Sequence, residues 1–213
     1  MIETQQVRTV HVAVYDTLAD WEASYLTARV NNPAWQRSPG TVRVRTIGRT
    51  LDPVTTMGGL RVLPDLSVHE VDPVTSAMLV LPGADAWETE AGLPWAAELA
   101  ARFRAAGTPV AAICGATRGL ARAGLLDGVR HTSSAPAYLT ATGYAGADGY
   151  VEADVVNDGG LITAGPLEPI PFAREALAVL DLYEPAVLDA WFRLFNDHDP
   201  SGLAGLTPAG ASA

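Results

Sequence analysis

The feature that most constrains this chain is a short run ending in its only cysteine: Thr108-Pro109-Val110-Ala111-Ala112-Ile113-Cys114-Gly115-Ala116-Thr117-Arg118-Gly119-Leu120. Val110 to Ile113 is apolar throughout and follows Gly107 and Pro109, the pattern of a strand buried on both faces in a parallel sheet. The next residues, rich in small side chains and helix formers and stopping near Gly124, predict a helix. Cys114 therefore falls on a strand-to-helix turn. Such a turn presents its side chain at the carboxyl edge of a sheet, above a helix N-terminus. The partial positive charge and unpaired N–H groups there favour a thiolate and an oxyanion. Gly115 lets the backbone turn tightly and leaves room for a substrate, as in a nucleophile elbow. A lone cysteine is equally a small buried hydrophobe, and this role stays open beside the reactive one.

Along the chain, strands alternate with helices. Val7 to Tyr15 reads as the first strand, with a helix over Trp21 to Val30 capped by Thr17 or Asp20. That places Asp20 and Glu22 at the carboxyl end of the strand, where open α/β sheets bind ligands. Thr41 to Ile47 reads as a strand nearer an edge, and Val54 to Val62, broken by Gly58-Gly59, as a β-hairpin. His69 falls in a polar link. Ala77 to Leu81 is a core strand ending in Pro82-Gly83-Ala84-Asp85-Ala86-Trp87. Gly83 and Ala84 could offer backbone N–H groups at the sheet edge that Cys114 occupies; an ordinary βα loop is the alternative. Helices are expected over Leu93 to Ala106, Ala135 to Thr142, Phe172 to Leu182 and Pro185 to about Phe195. His131-Thr132-Ser133-Ser134 reads as a short strand directed toward the cysteine, which makes His131 the one histidine placed to act as a base. Tyr150 to Val156 and Leu161 to Thr163, joined by Asn157-Asp158-Gly159-Gly160, form a second hairpin. Asp197-His198-Asp199 reads as an exposed acidic terminus rather than a metal site, since no ligand spacing recurs.

These elements predict an α/β fold: a flavodoxin-like three-layer sandwich, with a mainly parallel, doubly wound sheet and peripheral hairpins. A single domain over residues 1–197 and a flexible tail over 198–213 are expected. The net charge of −10 argues against nucleic acid or an anionic membrane as partner. One cysteine excludes an internal disulfide and suits a reducing cytosol; no secretory signal or membrane span is expected. Walker, Rossmann, HExxH and CxxC motifs are absent, so neither metal nor cofactor is expected.

Five pieces occur in one order: Val-Ala-Val-Tyr-Asp…Ala-Asp-Trp-Glu, Leu-Pro-Gly-Ala-Asp-Ala-Trp, Ala-Ala-Ile-Cys-Gly-Ala-Thr, Leu-Leu-Asp-Gly-Val-Arg-His-Thr-Ser-Ser and Leu-Ile-Thr-Ala-Gly…Phe-Ala-Arg-Glu-Ala-Leu. Together, over roughly residues 8 to 182, they resemble the ThiJ/PfpI superfamily, which shares the fold of class I glutamine amidotransferases, and within it the bacterial stress-associated members. The resemblance implies that Cys114 is the reactive elbow cysteine and Glu22 the acid that hydrogen-bonds it. It implies oxyanion N–H groups from Gly83, Ala84 and Gly115, and a pocket edge at Asp85 and Trp87. It also implies a homodimer. The chain differs from its relatives in two places: Gly115 stands where the intracellular peptidases carry a histidine, and Ser134 where the deglycases and glyoxalases do. No complete Cys-His pair is evident, and His131 is the nearest substitute.

Three functions remain open on the sequence. Cys114 as a thiolate could attack a small electrophile such as an aldehyde, amide or isonitrile, with Glu22 shuttling the proton. The thiol could instead sense oxidative stress by oxidation to a sulfenic or sulfinic acid. The domain could also be an inert relative with an ordinary thiol.

Overall fold

The computed structural model describes residues 7–206 of the chain. Its centre is a seven-stranded sheet built from β1 (Arg8–Ala13), β2 (Val42–Gly48), β5 (Leu66–Ser67), β6 (Ser76–Leu81), β7 (Val110–Ile113), β8 (Val155–Asp158) and β9 (Leu161–Ala164), in the order β5-β2-β1-β6-β7-β9-β8. Every neighbouring pair is parallel except β8 with β9. That exception is the expected second hairpin, whose Gly159-Gly160 turn has both residues at positive φ, as a two-residue hairpin loop requires. It closes one edge of the main sheet rather than lying outside it. The first hairpin, β3 (Val54–Thr55) with β4 (Arg61–Val62), does stand apart as its own two-stranded sheet.

Side-chain alternation along the central strands makes two cores. Leu79, Leu81, Val110 and Ala112 face one side, against α2 (Pro94–Ala105), α3 (Gly115–Arg122) and α4 (Pro136–Thr140). Met78, Val80, Ala111 and Ile113 face the other, against α1 (Ser24–Asn31), α5 (Pro169–Val179) and α6 (Pro185–Phe195). The result is the three-layer, flavodoxin-like α/β architecture that the alternating pattern predicts. It brings the carboxyl ends of β1, β6 and β7 side by side, and the chain's chemistry gathers there.

Four local expectations change. The first helix begins at Ser24, so Glu22 lies in a turn before it, and neither Thr17 nor Asp20 caps it. The Asp20 carboxylate instead accepts the Gly58 N–H at 2.7 Å, and the Thr17 hydroxyl accepts the Ala86 N–H. His131 to Ser134 is not a strand: His131 makes one isolated bridge to Tyr150 and the rest is irregular. Finally, the expected tail is ordered over Pro200–Gly205, a 3-10 turn capped by Asp199 and seated on α6, where Gly202 is buried against Ala190. Residues 1–6, where no signal was expected, and 207–213 lie outside the described residues. Among the described residues, no helix is long and apolar enough to cross a membrane.

Candidate active site

Cys114 sits between the last residue of β7 and the first of α3, with φ 57° and ψ −128°. A side chain is rarely found in that conformation, which costs about 1–3 kcal/mol and persists only where neighbours enforce it. Here they do. The Cys114 N–H donates to the Ala164 carbonyl of β9 at 3.0 Å, while its own carbonyl accepts from the Thr117 N–H and hydroxyl. The sheet holds one side of the residue and the first helical turn the other. The side chain is left half-buried at the sheet edge.

Glu22 reaches the same point from the β1 loop and is fully buried. One carboxyl oxygen, Oε2, accepts the Gly83 N–H, and the other, Oε1, is buried with no hydrogen-bond partner among the described residues; the carboxyl lies beside the Cys114 thiol. Gly83 shows how closely the groups meet. A Cβ there would lie 2.8 Å from Cys114 Cβ, 2.8 Å from Glu22 Oε2 and 3.0 Å from Cys114 Sγ. No other residue fits between them.

Burial opposes charge on both groups. It pushes Glu22 up to about 7, although the Gly83 N–H and the Cys114 thiol pull the other way. It pushes the Cys114 thiol up to about 12, with the Glu22 charge adding to it and the Gly115 N–H opposing. The helix N-terminus, expected to favour a thiolate together with Glu22, is opposed here by both effects. Desolvation and a neighbouring carboxylate outweigh the dipole. Both groups are therefore protonated below about pH 7; above it Glu22 is ionised while the thiol keeps its proton, which leaves the carboxylate placed to accept it.

The other expected site residues divide. Ala84 lies buried beside the elbow, and its N–H has no hydrogen bond among the described residues. Gly115 turns its N–H to the sulfur. The Gly83 N–H, expected to bind an oxyanion, is committed to Glu22. Trp87 is 1% exposed, with its ring against α3, where a Cβ at Gly119 would come within 2.2 Å of it, and it lines a cavity of about 440 Å³ with Glu90, Leu93 and Arg122. Asp85 is exposed at the start of the 3-10 turn Asp85–Glu88. Asp20 serves the hairpin, as described above. Ser134 is exposed and lines a cavity of about 260 Å³ with Glu152, Asp154 and Glu168.

His131 does not serve the sulfur. It is fully buried between Tyr144 and Tyr150, and its ring nitrogens bond the Val129 carbonyl at 2.9 Å and the Tyr144 hydroxyl at 3.1 Å. A carbonyl only accepts, so in the neutral ring Nδ1 donates and Nε2 accepts from the tyrosine. His11, the other buried histidine, lies within the sheet against Phe103, where burial holds it down at about 4.

Three residues beside the elbow escaped the sequence reading. The Glu88 carboxylate accepts the Tyr138 hydroxyl and lies 3.9 Å from the Arg118 guanidinium, which stacks over the Tyr138 ring. Glu88 would be 3.4 Å from a Cβ on Gly115. Arg118 follows Cys114 by four residues, one helical turn, which was a readable signal. Glu88 and Tyr138 come from separate elements and carried none. No group of three or more potential ligands that could hold a metal occurs among the described residues.

Comparison with known proteins adds context to this geometry. The model of the DJ-1/PfpI family matches residues 8–179. A Bacillus subtilis protein named "Uncharacterized protease YoaZ" is 34% identical over 198 residues, covering 92% of this chain and 94% of that one. A deglycase of Pyrococcus abyssi is 38% identical over 111 residues, 52% of this chain and 66% of its own. The crystal structure of a thiJ/pfpI family protein from Bacillus anthracis superimposes with a TM-score of 0.88 at 34% identity, covering 96% of this chain and 97% of that one.

Proposed function

The chain belongs to the DJ-1/PfpI family, and from that premise we propose that it is a cysteine-dependent enzyme acting on a small electrophile, with Cys114 as nucleophile and Glu22 as proton carrier. One observation carries the reading: a strained cysteine backbone that places sulfur beside a buried carboxyl whose Oε1 has no hydrogen-bond partner among the described residues. Buried polar atoms are normally paired, and strain without a return is normally lost. The names protease and deglycase given to relatives agree with acyl or carbonyl chemistry at a cysteine.

The steps balance within the site. Ionised Glu22 takes the thiol proton on Oε1 as the sulfur lone pair attacks the electrophilic carbon. The π electrons of that carbon move to its oxygen or nitrogen, which lies toward the Ala84 and Gly115 N–H groups. For an aldehyde Glu22 then returns the proton to that oxygen, and the product is a thiohemiacetal. For an amide it gives the proton to the nitrogen instead; the oxygen's electron pair re-forms the C=O as the C–N bond breaks, the neutral amine leaves, and water cleaves the resulting thioester. His131 has no part in the cycle. A homodimeric state and a cytosolic setting belong to the same proposal.

A screen of small aldehydes, amides and isonitriles tests it with wild type, Cys114→Ala and Cys114→Ser. Turnover of at least one class is expected for the wild type, and none for either variant. Turnover that survives in Cys114→Ala overturns the reading.

A further inference from the structure

Gly83 gives its N–H to Glu22, and the other end of the same peptide unit is also held. The Pro82 carbonyl accepts the Tyr15 hydroxyl. The Trp87 indole N–H is shared between the Tyr15 oxygen at 3.0 Å and the Pro82 oxygen at 3.1 Å. All of these groups are buried: Tyr15 is 4% exposed, Trp87 1% and Glu22 0%. A trans peptide is planar, with its C=O and N–H pointing in opposite directions. Fixing the oxygen therefore fixes where the N–H points.

We propose that Tyr15 and Trp87 are positioning residues for Glu22, acting through the Pro82–Gly83 peptide. Their two donors pin its carbonyl on the core side, so that its N–H is aimed at Glu22 Oε2. With Oε2 bonded to that N–H, the carboxyl is held in one orientation beside the sulfur, and Oε1 is the oxygen left without a partner. Packing does not account for the tyrosine. A phenylalanine fills the same space, and a buried hydroxyl returns its desolvation cost only by bonding a partner. The bond to Trp87 is of the same kind: the indole lies across α3 at Gly119, so its N–H is presented to Pro82 by the helix that carries Cys114. The charged and titratable groups around the carboxyl are Cys114 and Tyr15, with Glu88 beyond the sulfur.

The proposal rests on the reading that Glu22 carries the proton for Cys114, and the experiment separates the two. The backbone amide resonance of Gly83 is followed against pH in wild type, Tyr15→Phe, Trp87→Phe and Glu22→Gln, with Cys114 alkylation by iodoacetamide measured over the same range. In wild type both should show an inflection near pH 7, where Glu22 titrates. In Glu22→Gln that inflection should vanish from both. In Tyr15→Phe it should move upward by about one pH unit, the size expected when a hydrogen bond to a charged acceptor is weakened. Trp87→Phe should move it in the same direction. A merely structural tyrosine would lower thermal stability without moving the midpoint. If the inflection vanishes in Glu22→Gln but stays in place in both aromatic variants, the positioning role is overturned. If alkylation keeps its inflection in Glu22→Gln, the proton-carrier reading falls and takes the positioning role with it.

Discussion

Two buried titratable groups are treated in opposite ways. His131 is sealed between two tyrosines with both ring nitrogens bonded, in a stretch where no residue from Arg130 to Ser134 has positive φ. Glu22 is as deeply buried, yet one carboxyl oxygen has no partner among the described residues, beside a cysteine whose own backbone is strained. Satisfaction is what a core requires, since an unpaired buried group costs about 1–3 kcal/mol. A site needs the reverse: an atom held ready for a partner that is still to come. The difference teaches that burial and residue type do not mark a catalytic group; an unmet valence beside a fixed nucleophile does.

The largest break in that contrast comes from filling the gap between sulfur and carboxyl. In Gly83→Ala the added methyl would meet Cys114 Cβ and Glu22 Oε2 at 2.8 Å; the first is fixed to its backbone, and the second is the end of a fully buried side chain. The pair must separate. Misplacing a reacting group by about 1 Å costs on the order of 100-fold in rate, so alkylation or turnover should fall by at least about that factor. A rate within threefold of wild type would mean that the close approach has no chemical consequence.

Exchanging each group for a neutral one of similar shape should give stability changes of opposite sign. Glu22 titrates near 7 in the folded chain against a usual value of 4.5, so the stability it lends is fully present below about pH 4.5 and is lost as pH rises through 7. Glu22→Gln removes that slope. Relative to wild type it should gain up to about 3 kcal/mol at pH 8 over pH 4.5, read from urea unfolding at both values. His131→Phe leaves the Val129 carbonyl without its donor and should lose about 1–2 kcal/mol, with alkylation of Cys114 unchanged. A slower alkylation in His131→Phe would return the imidazole to the chemistry.

How far the sequence shows this contrast depends on the range of each signal. The elbow was legible because its cues are local: an apolar run, a cysteine, a glycine and small residues within about a dozen positions. Gly159-Gly160 marked its hairpin for the same reason. His131 reads as a candidate base because an imidazole looks the same in core and in pocket. Only tertiary packing puts Trp87 on Gly119, or Tyr144 on the histidine nitrogen. Glu88 and Tyr138 were invisible for a related reason. They lie 50 residues apart, and their bond exists only once the turn Asp85–Glu88 and α4 have come together. Pro200–Gly205, small and lacking long apolar side chains apart from Leu203, gave no sign that it would settle on α6.

The smallest effect separates strain from sulfur. Cys114→Ala and Cys114→Gly both delete the thiol, but only glycine adopts φ 57°, ψ −128° without steric cost. Relief of about 1–3 kcal/mol is set against about 0.5–1 kcal/mol of extra chain entropy that glycine loses on folding. Cys114→Gly should therefore be the more stable of the two by about 1 kcal/mol, or about 2–4 °C in Tm for a domain of this size. The matched pair beside His131 should reverse the order. Thr132 is buried at a negative φ, and its alanine and glycine variants both lose the bond to the Ala153 carbonyl. There glycine should be the weaker by about 0.5–1 kcal/mol, because no strain is released to offset the entropy. Glycine losing to alanine at both positions would show that the elbow is as relaxed as the core around His131. The unusual backbone of Cys114 would then cease to mark a site.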